Sequence, residues 1–148
     1  MHVRRKIRDE IISKVTRLNT TGTNVFPHRV YPVQESALPA IIVYTSSESS
    51  ARATLGGFAS VVSMHRNLNV TIEVYVKATK NMVDILDQIA EEIEVAMGDD
   101  ETLSGLSEDL FLTGTSIEIT AEGDQPVGLL KLDYQVDYRT TNDPSTAL

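Results

Sequence analysis

The sequence predicts an α+β fold, a two-layer sandwich with two helices on one face of a mostly antiparallel sheet of four to five strands, in the order α-β-β-β-α-β-β. Three observations carry this expectation. Two stretches repeat apolar residues at helical steps, a stretch between them alternates strictly, and two further alternating stretches flank a turn. The 148 residues suit a single domain, 1–139, with a long loop at 46–65 and a flexible polar tail at 140–148.

Val3, Ile7, Ile11, Ile12, Val15 and Leu18 define the first helix, and Gly22 stands in its C-cap region. Arg4, Arg5, Lys6 and Arg8 crowd its start, where cations oppose the helix dipole. Either that end frays, or the arginines serve something outside the helix. Val25 to Tyr31 is an edge strand because Pro27 cannot donate to a ladder and Pro32 closes it. Ala40 to Thr45 is apolar and β-branched, a buried strand. Ser46 to Gly57, rich in serine and ending on two glycines, is expected to be a long mobile loop.

From Arg66 to Ala78 the chain alternates: Leu68, Val70, Ile72, Val74 and Val76 face one side, Asn69, Thr71, Glu73, Tyr75 and Lys77 the other. Asn81 is placed as the N-cap of a second helix whose stripe is Met82, Leu86, Ile89, Ile93 and Met97, stopped by Gly98. Residues 99–109 form an acidic connector. Ser116–Glu122 and Val127–Arg139 make a hairpin around Gly123-Asp124-Gln125-Pro126, with Ile117, Ile119, Leu130, Leu132, Tyr134, Val136 and Tyr138 inward.

Composition excludes several classes. Without cysteine there is no disulfide, thiolate metal site or cysteine nucleophile. No apolar run spans a bilayer and no secretory segment opens the chain, so a cytoplasmic, membrane-free setting is expected. The formal charge of −8 and the lack of tryptophan argue against tight generic nucleic-acid binding. That charge is unevenly placed: Met1 to Lys80 carries eleven basic and five acidic residues, Asn81 to Leu148 two basic and sixteen acidic.

No catalytic pattern emerges. His2, His28 and His65 lack partners at metal-ligand spacing, and Asp99, Asp100, Glu101, Glu108 and Asp109 match no calcium loop. Gly56-Gly57 lacks the lysine of a phosphate loop, and Glu73 with Lys77 is an ordinary strand pair. The chain is expected not to be an enzyme and to need no metal or cofactor. One feature stands out: Asp84, Asp87, Glu91 and Glu94 form a continuous acidic line on a helix without lysine or arginine. Each like-charged step there costs about 0.2–0.5 kcal/mol. Arg4, Arg5, Arg8 and Arg17 are the complementary charges, paired either within one chain or between adjacent copies as a head-to-tail subunit interface.

The basic first helix, the proline-bearing edge strand and the segment Leu38-Pro39-Ala40-Ile41-Ile42-Val43-Tyr44-Thr45 resemble the tail terminator (minor tail protein) family of long-tailed bacteriophages. The polar loop, the alternating strand, the second helix and the final hairpin continue the likeness over most of the chain. The resemblance implies a structural virion protein: a hexameric ring at the head-proximal end of the tail that caps the tube, stops its polymerisation and joins it to the head connector. Its implied partners are further copies of itself, the major tail (tube) protein and a head connector or head-completion protein, assembled in the host cytoplasm, with DNA passing through the lumen without specific binding. Six globules about 38 Å across leave a central gap of at most about that width, enough for a duplex. Ser46, Glu48, Arg52, Gly56 and Gly57, or the polar sheet face, are expected to line that lumen or dock the tube. The alternatives are a head-completion (neck) protein, a small metal-dependent nuclease, and a monomeric binding module anchored by an exposed Tyr75.

Overall fold

In the computed structural model, residues 1–27, 38–52, 62–120 and 125–148 are described. Seven elements follow the predicted order: α1 (Val3–Val15), β1 (Val25–Phe26), β2 (Ala40–Arg52), β3 (Met64–Lys77), α2 (Met82–Gly98), β4 (Asp109–Thr120) and β5 (Val127–Thr140). The strands form one five-stranded sheet in the order β1-β2-β3-β5-β4. Pairing is mixed: β1 runs parallel to β2 and every other pair is antiparallel.

Alternation in the central strands dictates the two faces. Ile41 and Val43, then Leu68 to Val76, then Leu130 to Val136 point toward the helices and join the helical stripes in one core. α1 lies over β1 and β2, and α2 lies over β3 and β5. The helices run antiparallel. Arg4 opens α1 beside Glu48, which pairs with Leu68, whereas Met82 opens α2 against Gly128, which pairs with Val76. Gly128 is there for space: a Cβ at that position would stand 2.6 Å from Met82 Sδ and 3.0 Å from Leu86 Cδ1.

Several expectations are corrected. The loop expected at 46–65 is strand at both ends, since β2 continues to Arg52 and β3 begins at Met64. Cross-strand pairing with Arg66, Asn67 and Asn69 holds the serines extended, with a bulge at Ser46. Gly56 and Gly57 lie outside the described residues, as do His28, Tyr31 and Pro32. Asn81 is left-handed, with φ 58°, and its side chain makes no capping bond. The tail expected to be loose folds back: Val3 N–H donates to Pro144 O (2.8 Å), Leu148 N–H donates to Arg139 O (2.9 Å), and Ala147 packs on the core. Residues 99–108 are a structured turn rather than a solvated connector, with Leu103 buried, before β4 starts at Asp109.

Replacing Gly128 with valine forces Met82 and Leu86 aside and is expected to lower stability by about 1–3 kcal/mol, read as a fall in the urea midpoint without a change in slope.

Candidate functional site

The serine-rich half of β2 carries one acidic residue, and it organises the N-terminal end of the fold. Glu48 faces the helix side, its side chain 9% exposed. Its Oε2 accepts from Arg4 (2.8 Å) and Arg66 (3.2 Å), and its Oε1 accepts from the buried Tyr138 hydroxyl. Burial, then this carboxylate, pushes the Tyr138 hydroxyl up from its ordinary pKa. The first arginine at the positive end of α1 is thus spent on a carboxylate of the sheet, and His2 caps the same end by accepting the Arg4 N–H on Nδ1 (3.0 Å). Burial and the Arg4 guanidinium hold the His2 imidazole below its ordinary pKa.

On the opposite sheet face a second carboxylate is enclosed. Glu73 is 1% exposed and accepts from the Tyr44 hydroxyl (2.8 Å) and the Tyr75 hydroxyl (3.0 Å), with Lys131 Nζ at 3.7 Å. Tyr75 is half-buried and bonded to its neighbour, which removes the exposed anchor that a monomeric binding module needed. Thr71 donates to Asp133 (2.9 Å) and Gln135 to Asp137 (2.9 Å), so this face is polar and internally bonded.

The acidic line on α2 does not pair with α1. The side of α2 nearest α1 is marked by Glu92, whose carboxylate takes the Thr20 N–H (2.9 Å). Asp84, Asp87, Glu91 and Glu94 are exposed, and among the described residues no cation comes within ion-pair distance of them. Asp87, Glu91 and Glu94 instead wall an open groove of about 570 Å³ between α2 and β4, with Ala90, Leu130, Thr115 and Ile117 among its lining. Ile117 and Ile119 sit on the predicted face of β4 but are 44% and 48% exposed, a correction to their expected place in the core. The helices do not reach that far across the sheet.

The basic set divides. Arg4 is engaged by Glu48, while among the described residues Arg5 and Arg8 have only Asp9 as an ion-pair partner, each at 3.8 Å. Arg8 Nε is buried without an acceptor, and Arg17 is exposed in a left-handed turn (φ 68°). Of the expected docking loop, Ser46 is the bulge residue, Glu48 is the hub, and Arg52 ends β2 against Met64. No group of three or more potential metal ligands occurs among the described residues, and no described helix is long and apolar enough to cross a membrane.

Comparison with known proteins decides the family. The model of the family described as "Phage minor tail protein U" matches residues 2–138. The chain belongs to the phage minor tail protein U family. As a minor tail protein it is a structural component of the phage tail. Among solved structures, a chain in "Virion of native gene transfer agent (GTA) particle" is 15% identical, with 92% of each chain covered and a TM-score of 0.36. A search of the curated proteins returned no match.

Two outcomes follow for this minor tail protein. Glu48→Gln leaves Arg4 and Arg66 without their anion and is expected to cost about 2–3 kcal/mol in denaturant unfolding, whereas Arg5→Ala on the solvated side is expected to stay within about 0.5 kcal/mol. Because the His2 pKa is lower in the folded chain, its cap is fully effective above the ordinary imidazole value of 6.5 and is lost as pH falls below it. The urea midpoint should therefore decline between pH 7.5 and 5.5, and His2→Asn, which keeps an uncharged cap, should flatten that decline.

Proposed function

We propose that the protein is a tail terminator: a closed hexameric ring on the head-proximal end of the tail tube that stops polymerisation of the major tail protein and presents a surface to the head connector or head-completion protein. The observation that carries this reading is the family match over residues 2–138, which engages nearly the whole chain in one tail-associated role. The segregation of charge supports it. A basic α1 flank and an acidic α2 flank that meets no cation among the described residues suit head-to-tail closure, because a heterologous interface joins two different surfaces of identical copies. Arg4, held by Glu48, shapes the α1 flank rather than reaching across.

The lumen is lined by the outer sheet face. Asn69, Asp133 and Asp137 lie on that face, in a chain of net charge −8. Such a wall does not grip phosphates, so DNA slides past it, whereas a basic wall would gain counterion-release affinity at every contact.

The test is a phage lacking this chain. Overlong tail tubes without heads are expected, and the full chain supplied in trans should restore tails of uniform length that join heads. Tails of normal length that merely fail to hold DNA-filled heads would assign the chain to head completion instead.

A further inference from the structure

The helix layer and the sheet layer are offset. On one flank α1 runs 13 residues beside a β1 of two, so among the described residues little strand stands beneath its outer side. On the other flank β4 runs 12 residues, and its half from Thr115 to Thr120 is exposed on both faces, so sheet stands there with no helix above it.

The charges repeat the offset. The wall above β4 carries Asp87, Glu91 and Glu94 without cations among the described residues. The outer side of α1 carries Arg5, with a side chain 62% exposed, Arg8, with a side chain 29% exposed, and Ile12, partly buried between them. Heights along the strands also agree. Arg4 reaches the level of Leu68 and Val136 through Glu48, and for a helix laid along the strands one turn further is about 6 Å or two strand residues, which puts Arg8 level with Val70 and Tyr134. Glu94 lies at that same level, sharing a cleft with Leu112 and Tyr134. The next turn brings Ile12 to the level of Leu132 and Thr115, just short of Ile117.

We infer that the β4 flank of one copy of this chain receives the α1 flank of the next as a half-lap joint, with Arg8 and Arg5 against Glu94 and Glu91, and Ile12 over Thr115 and Ile117. The inference rests on the ring reading and specifies its contact. A neighbour placed by rotation about an axis along the strands keeps α1 and α2 at matching heights, so the joint repeats without a shift and closes. It also covers the backbone donors and acceptors of an edge strand that carries only Glu118 as a charge between Thr113 and Thr120.

The chain has no cysteine, so an introduced pair reports the joint directly. Ile12→Cys with Ile117→Cys, oxidised on finished tails, should give a ladder of covalently linked copies that collapses on reduction, while either single variant gives none. Arg8→Glu or Glu94→Arg alone should weaken copy–copy association about tenfold or more, and the two together in one chain should bring it back to within about threefold of the parent. Circular dichroism and the urea midpoint establish that each variant is folded. Annular assemblies that form in every variant and give no ladder overturn the joint while leaving the ring reading in place. A folded double reversal that stays unassembled, or an Ile117→Cys thiol that links only to a different tail protein, also overturns the joint. A chain found as single copies on correctly ended tails overturns the joint and the ring together.

Discussion

Two helices packed side by side span about 20 Å, and strands lie about 4.8 Å apart, so a two-helix layer covers about four strands. This sheet has five. The mismatch is what the rest of the surface answers to. With α1 placed over β1 and β2 and α2 over β3 and β5, the part left uncovered is the second half of β4: Leu110 is buried, whereas Ile117 and Ile119, although on the correct face, are exposed. A third helix would have completed a monomer. None occurs among the described residues, which leaves an apolar strip with an acidic wall on one side and an unpaired strand edge on the other.

The placement of α1 depends in turn on a single carboxylate. Glu48 reaches Arg4 at the head of the helix, Arg66 in the central strand and Tyr138 in β5, so it ties the helix layer to three strands near one end of the sheet. Arg4 is partly exposed and Arg66 is nearly buried, which makes Arg66 the more dependent partner and Arg4 the one that sets where the helix begins. The folded-back C-terminal segment reinforces the same corner, where Lys6 donates to Ser145 O (2.8 Å) and Val3 to Pro144 O. Of the cations crowded at this positive helix end, Arg4 and Lys6 are offset by these acceptors outside the helix, while Arg5 and Arg8 stand near Asp9 of the same helix.

The parts of the molecule governed by period and burial were legible in the sequence. The stripe from Met82 to Met97 and the alternation from Leu68 to Val76 fix α2 and β3 because burying those faces is worth far more than any local preference. Less legible was whatever depended on distant partners. Ser47, Ser49 and Ser50 have low strand propensity and suggest a loop, yet β3 alongside holds them in a ladder. Glu48 stands alone in a serine run, while its partners lie 18, 44 and 90 residues away, so no local spacing announces the cluster. The acidic line on α2 could be read from spacing alone, but the side it faces could not, since that depends on which strand lies beneath which helix.

Uncompensated charge and exposed apolar area at one place act against each other in a single chain and together between chains. The carboxylates of α2 repel one another at helical spacing and discourage casual collapse onto Ile117 and Ile119, because an apolar partner without cations would bury them unpaired. A partner bringing guanidinium groups at matching height relieves both penalties at once, and the chain itself carries such groups on its opposite flank. The same arrangement discriminates among partners: the edge strand, otherwise open to any extended segment, is guarded by charges that favour one class of surface over the rest. A net charge of −8 opposes close approach of copies in general, so any contact between copies of this chain has to be carried by flanks of opposite sign.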